Sequence, residues 1–398
     1  MLPEMKRFIS KDVLTVWASI GLLVLLCGPW VLPSNKLYHQ MLIVLLWLPA
    51  LLALFHRDFR LLLKQPECIF FLLFVAWTFL VLAVEGGDNV FGKVKVTFYV
   101  ALTLAGVLLA AQNRKWRLES MLLCASIIGG VFAAASWAYF YGLSARSLHF
   151  RLIAIGLWDT AIMAAHAVGA LAIMGAFTLR TRHFPPVVMA LLLIPAIGYA
   201  LFLGFSQTRG VWIGLVVCVL VMAVARPSRL GSGLILLGAL GVACIALFKP
   251  EVLLQRGVSY RPELWRGGIQ LILDHWVTGL GFKEYLIPVP EIRRFFKHPH
   301  NLFLDTGVRL GVPGLLLFGW LWLAAGWRGW ISRAQPLGQA LLALWVFSGV
   351  SLMTDGIGLW LKPNADWLVM WLPIALSIVL AAREGAETKS SIESVSVS

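Results

Sequence analysis

The chain has 398 residues, 60% of them hydrophobic and only 13% charged, with a mean hydropathy of +0.85 and a formal net charge of +14. Soluble domains are typically about a quarter charged, so a water-soluble globular fold is excluded and the chain falls in the membrane class. The basic excess is not a nucleic-acid footprint; it divides between membrane topology and attraction to lipid phosphate.

In chain order, apolar runs recur near 14–32, 38–55, 67–84, 96–111, 120–141, 153–179, 186–205, 211–225, 231–248, 312–327, 337–354 and 366–382. Each predicts a membrane-crossing helix. The expected fold is an all-α polytopic membrane protein with about 12 transmembrane helices, a single transmembrane domain over residues 1–398. The first run follows Lys6, Arg7 and Lys11 without a small-residue cleavage site after it, which predicts an uncleaved span. Cys27, Cys68, Cys124, Cys218 and Cys244 all lie in or beside apolar runs, so they are expected as core residues rather than disulfide or metal ligands. Tryptophans at run ends, among them Trp30, Trp116, Trp158, Trp212, Trp327 and Trp330, predict interfacial anchoring. The serine-rich end, 385–398, is expected to be a disordered cytoplasmic tail.

Seventeen of the 33 basic residues fall in short loops on one side of this plan and seven on the other. Short loops set orientation and long ones cross regardless of charge. Both termini are therefore expected in the cytoplasm, and the long polar interval 249–300 on the outside, which in a bacterium is the periplasm. That interval carries Lys249, Arg256, Arg261, Arg266, Lys283, Arg293, Arg294 and Lys297. Pro262 suits the first turn of a helix continuing through Leu264, Trp265, Ile269, Ile272 and Leu273, weakened midway by Gly267 and Gly268. Pro290 is expected to start a second short helix with Arg293 and Arg294 against Phe295 and Phe296. Both read as amphipathic helices on a membrane surface. Asn301 is a good N-cap for a third helix running to Arg309, ahead of a break at Gly311–Gly314.

HPHNLFLDTG (298–307) closes the interval and carries the strongest chemical signal. A cationic pocket with a histidine at the bilayer surface suits a lipid with an anionic phosphate headgroup. His300 precedes the N-cap, where the positive helix end and nearby arginines disfavour an imidazolium; a neutral ring is what a general base requires. Its alternative is a loop hydrogen bond, and His298 reads as structural. Arg209, in SQTRG (206–210), either binds phosphate or snorkels to lipid, with Gly210 and Gly214 allowing close approach of another helix. Arg261, in SYRPELW (259–265), is otherwise a solvated loop charge. Convergence favours a site, because Arg209, Arg261 and His300 all face one side. Asp159 and His166 share a helix face and are expected to pair, or Asp159 to pair with an arginine; proton relay is the lesser alternative. No GxxxxGK[ST], GxGxxG or DxD segment occurs, which disfavours nucleotide-driven chemistry and a metal-held nucleotide sugar.

TRG (208–210), R-x-x-x-W from Arg261 to Trp265 with TGLG (278–281), and HNLFLDTGVRLGVPG (300–314) together resemble the O-antigen ligase family. This family shares a conserved region with O-antigen polymerases and protein O-oligosaccharyltransferases. His298-Pro299 departs from the second Asn or His pair that many relatives carry. The resemblance implies a GT-C-like fold in the bacterial inner membrane, with its active site facing the periplasm. It also implies an inverting glycosyl transfer, without metal or other cofactor, from undecaprenyl-pyrophosphate-linked O-antigen to lipid A–core. His300, Arg209 and Arg261 would be catalytic, and Arg151, Lys95, Arg266 and Asn301 further substrate contacts. The partners are then donor, acceptor and membrane lipids, and no nucleic acid. An O-antigen polymerase is the nearest rival, and a lipid-linked glycan transporter the rival from another class.

Overall fold

In a computed structural model, the described residues are 10–179, 184–227, 260–356, 358–364 and 366–396. They form a helical bundle with one two-stranded hairpin. The helices are α1 (Lys11–Val31), α2 (Asn35–Ala53), the short α3 (Arg57–Leu62), α4 (Pro66–Glu85), α5 (Val90–Ala110) and α6 (Leu118–Leu143). Next come α7 (Ala161–Leu179), α8 (Pro186–Phe205), α9 (Arg209–Ala225) and α10 (Arg261–Asp274). The hairpin pairs β1 (Ile287–Val289) with β2 (Arg294–Phe296), and α11 (Leu302–Ile331), α12 (Pro336–Thr354) and α13 (Trp367–Ser396) complete the chain.

Ten of these are long and apolar enough to cross a membrane by length and composition, and α9 is a shorter apolar helix. Together they match eleven of the twelve expected runs; 231–248 lies outside the described residues. The chain is a multi-pass membrane protein.

Four expectations are corrected. The run at 153–179 is helical only from Ala161. Residues 151–160 satisfy their backbone elsewhere: Leu152 N–H donates to Phe205 O, Ile155 N–H to Ser136 Oγ and Leu157 N–H to Pro29 O. Gly156 (φ 119°) sits where a Cβ would strike that Pro29 carbonyl. Asp159 is consequently exposed ahead of α7 and does not meet His166, which pairs with Asp366 instead. The second loop helix is replaced by the β1–β2 hairpin, with one 3-10 turn at Pro290–Ile292. Register puts Ile287 opposite Phe296, and the alternation that buries Ile287 and Val289 is a strand's, not a helix's. Finally, α13 continues through Ser396 into the stretch whose composition predicts disorder. A helix already nucleated extends at little cost through Ala386, Glu387 and Lys389.

Two features hold the loop on the bundle. Leu264 and Ile272 of α10, Tyr285, Ile287, Val289 and Val308 form a second apolar core, separate from the main one. Beneath it the Tyr285 hydroxyl donates to buried Asp305 at 2.5 Å, and Arg309 Nε donates to both Asp305 oxygens at 3.2 and 3.0 Å. Gly267 leaves room for Ile287, so the glycine pair expected to weaken α10 instead lets the hairpin pack on it.

α11 begins as expected, with Asn301 Oδ1 accepting from Phe303 N–H and Leu304 N–H at 3.0 and 3.2 Å. The break also falls where expected, but the helix resumes at once, because the orphaned groups find partners. Val312 N–H donates to Trp276 O at 2.7 Å, and Trp77 Nε1 donates to Leu310 O at 2.8 Å. Gly311 adopts φ 68°, ψ −175°, a region essentially confined to glycine. A Cβ there would also meet the Val277 carbonyl. Gly311→Ala is therefore expected to destabilise the protein by about 1–3 kcal/mol from backbone strain alone. A lowered thermal midpoint in detergent checks this; an unchanged midpoint contradicts it.

Candidate active site

The end of α12 is where Arg209, Arg261 and His300 meet. A helix C-terminus leaves carbonyls without intrahelical partners and carries partial negative charge. Arg261, in the first turn of α10, answers both: its Nε donates to Thr354 O at 2.6 Å. The next residue, Asp355, accepts from His300 Nδ1 at 2.8 Å. Gly210, in the first turn of α9, lies against Thr354, where any Cβ would collide with the threonine side chain, and Gly214 abuts Phe347 O. The expected close helix approach is thus α9 on α12, and it brings Arg209 beside Arg261.

Arg151 lies at the same place by a different route. Its Nε donates to Ser206 O at 2.9 Å and its Nη2 to Thr208 Oγ1 at 3.0 Å, so it braces the turn that launches α9. A cavity of about 100 Å³ opens between these segments. Arg151, Arg209, Arg261, Asp355, Thr208 and His166 line it, with Gly210 and Thr354. Three guanidinium groups on one small cavity make a site for an anion. Burial, then the like charge of Arg209, hold the Arg261 guanidinium below its ordinary pKa, while Asp355 opposes them. An anionic occupant relieves the repulsion between the two arginines. A larger cavity of about 530 Å³ lies between α1 and the α5–α6 turn, walled mainly by Val13, Val16, Trp17 and Ile20. Its exposed surface is mainly apolar, Asn113 is spent on Ser19 Oγ and on the turn's own N–H groups, and its charged residues Asp12, Arg114 and Lys115 include no histidine–carboxylate pair.

His300 does not line the cavity but reaches it through Asp355. It takes a left-handed backbone conformation (φ 51°) just before the α11 cap. Its side chain keeps 31% exposure against 16% for Asp355, so one face of the ring stays accessible. With Nδ1 engaged by a carboxylate, Nε2 is the nitrogen left to exchange protons. Burial alone would raise the Asp355 carboxyl pKa. The hydrogen bond from His300 and the charges of His166, His300 and Arg261 outweigh that and hold it below the usual carboxylate value. Asp355 is thus ionised above the acid range, and its contribution to stability is lost only as pH falls through its depressed pKa. His298 packs edge-on to His300 at 4.1 Å between centroids, with Nδ1 buried and unpartnered. Burial and then His300 hold its pKa low, so it is a neutral neighbour.

The remaining candidates stand apart. Lys95 is exposed and lies over the Phe91 ring of its own helix, 5.5 Å from the centroid. Arg266 is exposed on α10 and does not line the cavity. The Asn301 side-chain oxygen is committed to the α11 cap. Sequence reasoning missed Asp355 and Asp366, and took Thr208 only as part of the TRG motif. The signal for Asp355 was present: an acid at the end of an apolar span, on the same predicted side as His300, is by default a functional candidate.

Fold and site together define a multi-pass membrane protein with a cationic cavity and a histidine–carboxylate pair at one end of its bundle. The O-antigen ligase family model matches residues 194–319, a stretch that holds Arg209, Arg261 and His300 but not Arg151, His166 or Asp355. An O-antigen ligase of Pseudomonas aeruginosa is 28% identical over 383 residues, covering 94% of this chain and 93% of that protein. The resemblance to the O-antigen ligase family therefore runs through nearly the whole chain, and it supports a membrane ligase of the glycosyltransferase type.

Asp355→Asn keeps the side chain's shape and removes its charge, so the His300 tautomer is no longer fixed. Transfer activity is expected to fall about 10²–10⁴-fold with the protein still folded. Comparison of turnover and thermal midpoint for the two proteins checks this; near-normal turnover contradicts it.

Proposed function

We propose that this protein is an O-antigen ligase. It transfers completed O-antigen from undecaprenyl pyrophosphate to a sugar hydroxyl of lipid A–core at the periplasmic face of the inner membrane. The observation that carries this reading is the pairing of Arg209 and Arg261 on one anion-sized cavity whose wall includes Asp355, the carboxylate that holds His300.

The chemistry follows from those groups. The donor already holds an activated C1–pyrophosphate bond, so two things are required. The charge developing on the departing pyrophosphate must be neutralised, and the incoming hydroxyl must lose its proton. Arg209 and Arg261 supply fixed positive charge at the leaving group, the part metal ions take in other phosphate chemistry. Arg151 keeps the Arg209 turn in place. His300, its Nδ1–H directed to Asp355, accepts the acceptor hydroxyl's proton at Nε2. The hydroxyl oxygen bonds to C1 as the C1–O bond to pyrophosphate breaks, and the electron pair leaves with undecaprenyl pyrophosphate. One displacement of this kind inverts the anomeric centre. Guanidinium charge makes a metal unnecessary. A transporter would place its charged groups near the midplane, whereas these gather at one end of the bundle.

The deciding experiment mixes purified protein with undecaprenyl-pyrophosphate-linked O-antigen and lipid A–core and follows the glycan by gel. Glycan on lipid A–core is expected. Glycan lengthening while still lipid-linked would instead make the protein a polymerase, and no transfer beside an active control ligase would sink the enzymatic reading. In that assay His300→Ala is expected to lose about 10²–10⁴-fold in rate. Arg261→Lys is expected to lose about 10²-fold, because an ammonium cannot both hold Thr354 O and grip a phosphate bidentately. Rates should persist in excess chelator; loss restored by magnesium would refute the metal-free mechanism.

A further inference from the structure

A second histidine–carboxylate pair stands on the same cavity. His166, on α7, keeps only 3% side-chain exposure, and its Nδ1 lies 3.0 Å from Asp366 Oδ1, just ahead of α13. His166 also lines the cavity beside Arg151, Arg209, Arg261 and Asp355. Asp366, in contrast, is not among the cavity's walls: it stands behind the ring. Residues 194–319, matched by the family model, contain neither partner.

We infer that His166 is a further donor-binding residue, a protonated imidazolium held from behind by Asp366 that presents Nε2–H to the pyrophosphate of the lipid-linked glycan. This rests on the reading of the cavity as the pyrophosphate site. A buried charge must be paired, and a buried imidazole with one nitrogen on a carboxylate has only the other for a cavity occupant. Every charged group facing the ring bears on the outcome. Burial opposes the charged ring first, and Arg151, Arg209 and Arg261 on the same cavity add to that; Asp366 and Asp355 favour it, and His300 acts on it through Asp355. An anionic occupant offsets the arginines and tips the balance toward the cation. Donor binding and protonation of His166 are therefore linked, as Arg209 and Arg261 alone, charged at every working pH, would not require.

The test measures equilibrium binding of an undecaprenyl diphosphate sugar to purified protein between about pH 6 and pH 9, the window in which histidines change charge. Its pyrophosphate diester keeps two negative charges across that range. Wild-type affinity is expected to fall roughly tenfold or more as pH rises, the loss of one charge-assisted hydrogen bond. His166→Gln should bind weakly at every pH without that dependence, whereas His300→Gln should retain it. Asp366→Asn, which keeps the side chain's size, should move the midpoint to lower pH. A His166→Gln protein with wild-type affinity and pH dependence overturns the inference; so does an unmoved midpoint in Asp366→Asn, which decides the matter should His166→Gln fail to fold. Absence of binding by wild-type protein at any pH would instead overturn the pyrophosphate reading of the cavity, of which His166 is only one part.

Discussion

The C-terminal end of α12 is the constraint on which the site depends. Its last carbonyls lack helical partners and its dipole points negative end outward. Arg261 takes the Thr354 carbonyl, and Asp355, one residue on, takes His300. Those two contacts draw α10 and the start of α11 onto α12, while Gly210 and Gly214 let α9 press against it from another side. Three distant parts of the chain therefore share one point of attachment, and the charges they carry share one cavity.

Such an arrangement concentrates cations in a partly buried place, and it is kept tolerable by carboxylates behind them. Asp355 stands against Arg261 and His300, Asp366 against His166, and Asp305 against Arg309. Each pairing satisfies a buried charge that would otherwise be costly. Arg151, Arg209 and Arg261 bring three guanidinium groups to the one cavity. At the opposite end of the bundle, Arg328 joins Glu67 and Glu384, and Arg383 joins Glu119. Those pairs, each cation met by a carboxylate, clamp α4, α6, α11 and α13.

α10 and the β1–β2 hairpin work as a rigid part of the site. α10 and the hairpin own a small apolar core, and the Tyr285–Asp305–Arg309 network pins that core to the first turns of α11. Gly311 then turns the helix while Trp276 and Trp77 satisfy the opened backbone. Arg261 and His300, at the two ends of this unit, are held at a fixed separation by packing rather than by adjacency in sequence. The charge pattern at the cavity is therefore preformed.

Composition and periodicity alone determined the membrane class, eleven of the helices, the α10 start at Pro262 and the Asn301 cap, because hydrophobic runs and caps are local properties of a chain. They also singled out Arg209, Arg261 and His300, since charged residues at the ends of apolar runs have few structural reasons to be there. What they missed is pairwise and distant. His166 meets Asp366 across 200 positions and not Asp159, because residues 151–160 bond to Pro29, Ser136 and Phe205 instead of entering the helix. Asp355 becomes the partner of His300, and residues 294–296 become a strand because Ile287–Val289 lies alongside them. Lys95 and Arg266, equally basic and on the same predicted side, stay outside the cavity because helix packing, not charge, selects which cations converge. Only the tertiary structure decided those pairings, since each depends on which helix ends packing brings within a hydrogen bond's reach.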